Sequence, residues 1–388
     1  MPIFSAITQH PNSIQAAGEI SGRLLESLSF NPDILINFIT PTYGSDINNI
    51  VKSIAQLTNA GSTITCISEG IIGPSQEVEL GPGITSMAIE KDNVLVADLS
   101  LFSKLSLHDK EHYSEWMSFT NAWREALGGE FNFMLLLADP FLFDIESYIL
   151  WHETNLPQVS IIGSLMHGNN SKDLRLFNGT ELNSSAAIAL IFSGSSNISS
   201  YYSYSYAPVG EPFTVTNSEY SEIKTVGNKR PMDYLLRLAT TKLSKNQIKL
   251  VNNGMLKLGK VINDSKLNYL PNDFIPMDIV GVKQDIGSLI VESSVEIGST
   301  VQFLLDDPEA ASHDLRSLLG THKSEAAIVF PNISRGRAFF GKPHQDSLII
   351  SESISPKAVI GHFSKLPFCY SNNSLQQSKD SIAVAVIG

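Results

Sequence analysis

A chain of 388 residues with a formal net charge of −12 and 43% hydrophobic against 17% charged residues is too apolar to stay disordered. It is also too acidic to offer the broad positive face that nucleic acid requires. Its length exceeds what one packed core usually serves, so two domains of roughly 150 to 200 residues are expected.

The opening residues MPIFSAITQHPNS carry no leader signature, and the longest apolar runs, such as AAIALIF at 186–192, are of strand length. A membrane span needs roughly 20 apolar residues. The expectation is a cytoplasmic protein with no membrane partner. Cys66 and Cys369 are the only cysteines; they fit no metal or redox spacing and read as reduced, buried thiols.

In chain order, residues 34–39 (ILINFI) form an apolar run of strand length. Ser45 is placed to cap a helix in which Ile47, Ile50, Val51, Ile54 and Leu57 share a face, with Gly61 as its stop, and the β-branched run 62–67 follows. Strand, helix and strand in that order predict a βαβ unit with parallel strands. Next comes an amphipathic helix carrying Tyr113, Trp116, Met117, Trp123 and Leu127, whose aromatic stripe reads as core packing. The βαβ pattern returns at 131–138, 143–154 and 158–163, and again at 325–330, 344–353 and 357–363.

Between these units, residues 178–212 read as antiparallel strands. Tyr202, Tyr204 and Tyr206 alternate there, as a ligand-stacking ladder or a half-exposed strand face would. Pro231 opens a helical stretch expected over 232–258; strands follow near 278–283, 287–293 and 299–305, then a helix at 310–319. The fold class expected is α/β: mixed sheets with repeated βαβ units in two lobes, a layered α-β-β-α sandwich being one arrangement that fits. The domains are placed at 1–222 and 223–388.

No nucleophile elbow, phosphate loop, dinucleotide turn or zinc-protease pair occurs. His108 and His112 have helical metal-ligand spacing but no evident third ligand. The segment FPNISRGRAFFGKPHQD (330–346) sets Arg335, Arg337, Lys342 and His344 together with no acid among them. In open α/β sheets ligands gather outside the carboxyl ends of strands. TPTYG, SEGIIG, ADP, GSLMHG, PNISRGR and GHFSK all leave such ends. If they share a crevice, Arg335 and Arg337 face it with Asn332 and can grip a carboxylate or phosphate through paired hydrogen bonds. Otherwise one arginine pairs with an interior acid and the other lies on the surface. Glu69, in the glycine-permitted turn CISEGIIG, can pair with a ligand ammonium or simply be solvated.

These segments resemble the FIST family. TCISEGIIG matches its amino-terminal turn, with Thr65 in place of a glycine. LLADP, IIGS and YAPVGEPFTVTN resemble later signals, and FPNISRGRAFFG keeps Phe330, Asn332, Arg335, Gly336, Phe340 and Gly341 of a stretch that usually also holds a cysteine. The family's following Gly-Glu turn is replaced by GHFSKLPFCYSNNS, where Gly361 and Phe363 remain and His362 is new.

The resemblance covers about residues 30–365. It implies a small-ligand sensory module in signal transduction, with amino acids as suggested ligands; no cofactor, metal or catalysis is expected. No output segment is recognisable, so a separate signalling protein is the expected partner. The candidate ligand residues are Cys66, Ser68, Glu69, Gly70, Asp139, Ser164, Asn332, Arg335, Gly336, Arg337 and His362, with Glu69 or Asp139 for the ammonium. Two other functions compete. One is an interaction adaptor using the tyrosine-rich strand and the altered tail. The other is an enzyme using His362 as base with Ser364 or Cys369 as nucleophile.

Overall fold

The computed structural model describes residues 2–28, 31–90, 94–100, 102, 110–168, 175–180, 184–266, 268–321, 323–371 and 373–388, the side chains of 110–114 excepted. The chain forms two compact units, Met1–Ser203 with Leu315–Gly388, and Tyr204–Asp314. The first unit takes its residues from both ends of the chain, because strands near the carboxy terminus complete sheets begun near the amino terminus. A single cut at 222/223 does not describe that exchange.

The first sheet is built from β1 (Ile3–Thr8), α1 (Ser13–Ser27), β2 (Ile34–Ile39) and α2 (Ile47–Thr58). β3 (Ser62–Ile67), β4 (Ile71–Gly73), β5 (Gln76–Val78) and β6 (Ile84–Ile89) follow. β2 and β3 are parallel, as the βαβ reading requires. Asn12 caps α1 by accepting from the Gln15 amide.

The ends of α2 differ from expectation. A 3-10 turn at Pro41–Asp46 leads into it, so Asp46 rather than Ser45 precedes the helix. Asn59 in the left-handed region ends it before Gly61 is reached. Its buried stripe runs Ile47, Ile50, Val51, Ile54 and Thr58, whereas Leu57 is 53% exposed; at 3.6 residues per turn it is position 58 that returns to the inner face.

β7 (Val94–Asp98), α3 (Lys110–Leu127), β8 (Phe131–Ala138), α4 (Ile145–Asn155) and β9 (Ser160–Met166) supply the second βαβ unit, with β8 and β9 parallel. β10 (Leu176–Asn178), β11 (Ala187–Ser193) and β12 (Ile198–Tyr204) follow. Trp116 and Trp123 of the α3 stripe are core, with Met117 and Leu127 packed against it, and Trp116 lies 3.8 Å from the Phe102 ring and 4.6 Å from Trp151; the Tyr113 side chain lies outside the described residues.

The second unit is a closed barrel in the order β13-β14-β17-β16-β15-β18. Its elements are β13 (Tyr206–Glu219), β14 (Glu222–Val226), α5 (Pro231–Thr241), α6 (Lys245–Asn252), β15 (Leu256–Val261), β16 (Phe274–Lys283), β17 (Ser288–Val291) and β18 (Thr300–Asp306). The helical stretch expected over 232–258 is thus two helices and the start of a strand. Leu256 and Leu258 are barrel core.

α7 (Pro308–Leu319) leads back to the first unit. There β19 (Ala326–Pro331), the short α8 (Arg337–Phe340), α9 (Gln345–Ile354) and β20 (Ala358–His362) form the third βαβ unit, parallel again. β21 (Ser364–Ser371), β22 (Ser374–Gln377) and β23 (Ser381–Ile387) end the chain.

The first unit therefore holds three mixed sheets, ordered β1-β6-β2-β3-β10, β22-β21-β9-β8-β11-β7 and β12-β23-β19-β20-β4-β5. Each has one parallel pair at its heart. α1 and α2 pack on the first, α3 and α4 on the second, and Leu315, Leu319 and α9 on the third. The faces away from the helices meet one another. Phe38 of the first sheet lies 6.4 Å from Phe330 of the third, and Cys66 of the first touches Met166 of the second, Sγ to Sδ 3.1 Å. A simple two-sheet sandwich is replaced by three helix-backed sheets.

Parallel pairing at the third sheet demands a glycine. A Cβ on Gly361 would lie 2.1 Å from the Val329 carbonyl oxygen, and that neighbour is strand backbone. Gly361→Ala is expected to lower stability by about 3 kcal/mol, the upper end of ordinary overpacking costs. Urea unfolding checks it, and a loss below about 0.5 kcal/mol would contradict this packing.

Candidate functional site

The first and third βαβ units bring the carboxyl ends of β2, β3 and β20 together. The Ser68 amide donates to the Ile39 carbonyl (3.0 Å) and the Phe363 amide to the Gly70 carbonyl (3.0 Å). The Ser68 hydroxyl donates to the Phe363 carbonyl (3.1 Å). The turn after β3 is thereby stitched to the end of β20. A Cβ on Gly70 would lie 2.6 Å from Phe363, so a glycine is needed for that close approach.

Two hollows open at this edge, and they share Pro41 and Glu69. One, of about 260 Å³, is lined also by Gly44, Ser68, His167 and Arg175. The other, of about 440 Å³, is lined also by Thr42, Gly70, Glu79, Ile333 and Phe363. Glu69 Oε2 stands 3.0 Å from His167 Nδ1. Arg175 is exposed, and its backbone carbonyl accepts from the Ile67 amide (2.9 Å), which ties it to the end of β3. Glu79 Oε1 accepts from the Arg337 amide (2.8 Å).

Of the residues expected to bind ligand, Ser68, Glu69 and Gly70 line these hollows. Arg335 does not, and its proposed grip on a ligand is corrected. It is fully buried, and its Nε and Nη2 donate to Asp346 Oδ2 (3.0 Å) and Oδ1 (2.8 Å). Its guanidinium also lies 5.4 Å from the Phe340 ring centre. A guanidinium removed from water needs a bidentate partner of this kind, and the partner is internal. Arg337 is exposed; its amide, not its side chain, meets Glu79. Gly336 packs on the Glu79 carboxylate, where a Cβ would come within 2.2 Å.

Asn332 is structural, donating to the Ser364 (3.3 Å) and Lys365 (2.7 Å) carbonyls and accepting from the Ser334 amide (2.8 Å). Ser164 is buried against Ser364 (2.7 Å). Cys66 is buried, and burial with the nearby Asp139 charge pushes its thiol well above the ordinary range. Asp139 accepts from the Phe141 amide (2.8 Å) through Oδ1, while its buried Oδ2 has no hydrogen-bond partner among the described residues. Burial raises its pKa.

His362 is fully buried between Phe38 (4.8 Å) and Phe330 (5.3 Å). Its Nδ1 lies 3.1 Å from Ser68 Oγ and 3.1 Å from the Phe363 carbonyl, and its Nε2 has no partner among the described residues. The coherent network is Nδ1–H donating to these oxygens, because Ser68 gives its own proton to Phe363. Burial lowers the imidazole pKa to about 4. The hydroxyl beside His362 is thus Ser68. Ser364 Oγ donates instead to the Leu165 carbonyl (3.0 Å), and Cys369 is a buried thiol whose pKa burial raises.

Sequence reasoning missed Arg175, His167 and Glu79. His167 and Glu79 stand in loops flanked by Gly168, and by Gly81 and Gly83, a turn signal the sequence does carry. Arg175 carries no comparable mark. The tyrosine ladder is not a surface: Tyr202, Tyr204 and Tyr206 are all buried, with the Tyr202 hydroxyl 2.6 Å from Ser381 Oγ. His108 and the His112 side chain lie outside the described residues. Among those described, no cluster of three or more His, Cys, Asp or Glu could hold a metal ion, and no helix is long and apolar enough to cross a membrane.

The FIST N domain model matches residues 33–229 and the FIST C domain model residues 232–365. The uncharacterised protein Mb0898c of Mycobacterium bovis is 23% identical over 379 residues, covering 94% of this chain and 92% of its own length. Rv0628c of Mycobacterium tuberculosis, also uncharacterised, is 22% identical with 94% and 93% covered. FIST domains are associated with signal transduction. With both domain models matched in order over most of its length, this chain belongs to the FIST family.

Proposed function

We propose that the chain is a sensory module without catalytic activity, whose paired hollows bind an amino acid or a similar ligand carrying an anion and an ammonium. One observation carries this reading: Glu69 forms a wall of both hollows, with Arg175 lining one and Glu79 the other. An α-amino acid needs a cation for its carboxylate and an acid for its ammonium. Arg175 suits the first task, through paired hydrogen bonds. Glu69 and Glu79 suit the second, and His167, beside Glu69 in the free protein, is the group the ammonium would displace. Transmission would require a conformation with different affinity for the ligand, read by a separate signalling protein. Burial of the tyrosine row removes one of the two surfaces on which the adaptor reading rested.

A thermal-shift panel of amino acids and organic acids tests this. A ligand at a hundred times its dissociation constant adds about 2.7 kcal/mol. The shift should vanish in Glu69→Gln and in Arg175→Gln. No shift with any compound, or shifts that survive both substitutions, would overturn the reading.

A further inference from the structure

The barrel unit carries a hollow that ligand sensing at Glu69 does not use. β13 and β18 pair with Val209 opposite Phe303 and Phe213 opposite Val301. Gly210, Glu211 and Pro212 therefore span a stretch where β18 offers Gln302 alone. The strand must bulge there, and Gln302 Nε2 holds the bulge by donating to the Gly210 carbonyl (2.8 Å). α5 lies across the gap, leaving a hollow of about 420 Å³ lined by Phe213, Phe303, Tyr234 and Leu238, with Arg237, Thr241, Lys242 and Glu211 around it.

The lining selects a chemistry. The Phe213 ring centre is 5.1 Å from Tyr234 at 32° and 5.3 Å from Phe303 at 59°, within the range where aromatic rings attract one another. A flat ring inserted among them extends that packing. The acid at the mouth is already committed: Glu211 pairs with Lys242 at 2.5 Å, and that lysine holds the Glu211 carboxyl below its usual pKa. Arg237 is exposed and has no carboxylate within ion-pair distance among the described residues. An apolar aromatic floor under an uncommitted guanidinium repels a cation and leaves a neutral ligand unanchored. It suits a flat ring system bearing one carboxylate.

We propose that this hollow is a second ligand site, for aryl carboxylates, formed by the β13 bulge and α5. The probe is 2-naphthoate, titrated calorimetrically into the full chain at low salt. It should bind at one site per chain, with the neutral 2-naphthalenemethanol and the aliphatic octanoate each at least tenfold weaker.

Arg237→Gln, at an exposed helical position, should weaken naphthoate about tenfold, the loss of one charge-assisted contact. It should leave naphthalenemethanol unchanged. Thr241→Trp, at an exposed lining position, should block both. Glu69→Gln and Arg175→Gln should leave naphthoate binding intact, which separates this site from the one at Glu69. Absence of naphthoate binding, affinity unaffected by Arg237→Gln and Thr241→Trp, or octanoate binding as tightly as naphthoate would each overturn the proposal.

Discussion

Asp346→Ala is expected to destabilise the protein by about 3–5 kcal/mol, the cost of leaving a buried charge without its partner. Asp346 and Arg335 are both out of solvent, at 1% and 0% side-chain exposure, so water cannot replace the lost carboxylate. The consequence should extend beyond the pair. Asp346 sits in the first turn of α9, next to Ser347, whose amide donates to Glu77 Oε1 (2.8 Å). Glu77 in turn offers its own amide to His344 Nδ1 (3.0 Å). The β4–β5 hairpin and the start of α9 are thus joined through polar contacts on both sides of the ion pair, and Glu79, one residue beyond β5, lines the hollow at Glu69.

Losing Asp346 should therefore weaken any ligand response as well as stability. Urea unfolding of Asp346→Ala, Arg335→Met and the double variant Arg335→Met with Asp346→Leu separates charge from shape. The double variant should lie closer to the parent than either single one, because no unpaired charge remains. A single-variant loss under about 1 kcal/mol would show that the pair is not desolvated.

The three βαβ units were legible because each is a local pattern: an apolar run, a helical stripe and a second apolar run. Ile34–Ile39 and Ser62–Ile67 could be delimited to the residue. The helix ends were not legible in the same way. Asn59 and Gly61 both permit a stop, and which one acts depends on where the chain must turn to pair β3 with β2. Nor was the partnership of the sheets, since Phe38, Cys66 and His362 find Phe330, Met166 and Ser68 only through contacts remote in sequence.

The arginine cluster at 335–344 misled for the same reason. Charge counted along the chain is acid-free, but charge counted in space is not, because Asp346, Glu77 and Glu79 surround that segment. The expected convergence of strand ends holds for β2, β3, β9, β19 and β20, whose following residues line the two hollows, but not for the ADP turn after β8. The identity of the cation at those ends was not legible, because Arg175 belongs to a loop outside any βαβ pattern. His362, in a segment that departs from the family's usual text, reads as a functional novelty in sequence. In the fold it is a neutral ring packed between two phenylalanines.

That neutral ring sets the acid limb of stability. Burial lowers the pKa of His362 from 6.5 to about 4, and that of His152 likewise to about 4. Between about pH 4 and 6.5 the unfolded chain binds more protons at these positions than the folded one, so stability rises with pH there. Each histidine contributes in full above about 6.5 and loses that contribution as pH falls towards 4. At 1.36 kcal/mol per unit the magnitude is about 3 kcal/mol each.

Glu77 acts with the opposite sign. Desolvation first, then the Asp346 and Glu79 charges, raise its pKa from 4.5 to about 7. The folded state then holds the extra proton, and stability falls as pH rises from 4.5 to 7. His344 Nδ1 accepts from the Glu77 backbone amide rather than meeting its carboxylate, and Arg335 is already engaged by Asp346, so neither reverses this direction. Among these three groups the two histidines outweigh the glutamate from pH 4.5 to 6.5. Urea midpoints from pH 4 to 8 should show His362→Asn with a shallower acid limb than the parent. Glu77→Gln, which keeps an acceptor for Ser347, should be more stable than the parent above pH 7, by a margin that disappears near pH 4.5. Parallel curves for the parent and His362→Asn would mean that the imidazole is hydrated in the folded protein, and would remove the packing of the three sheets around it from the account of this fold.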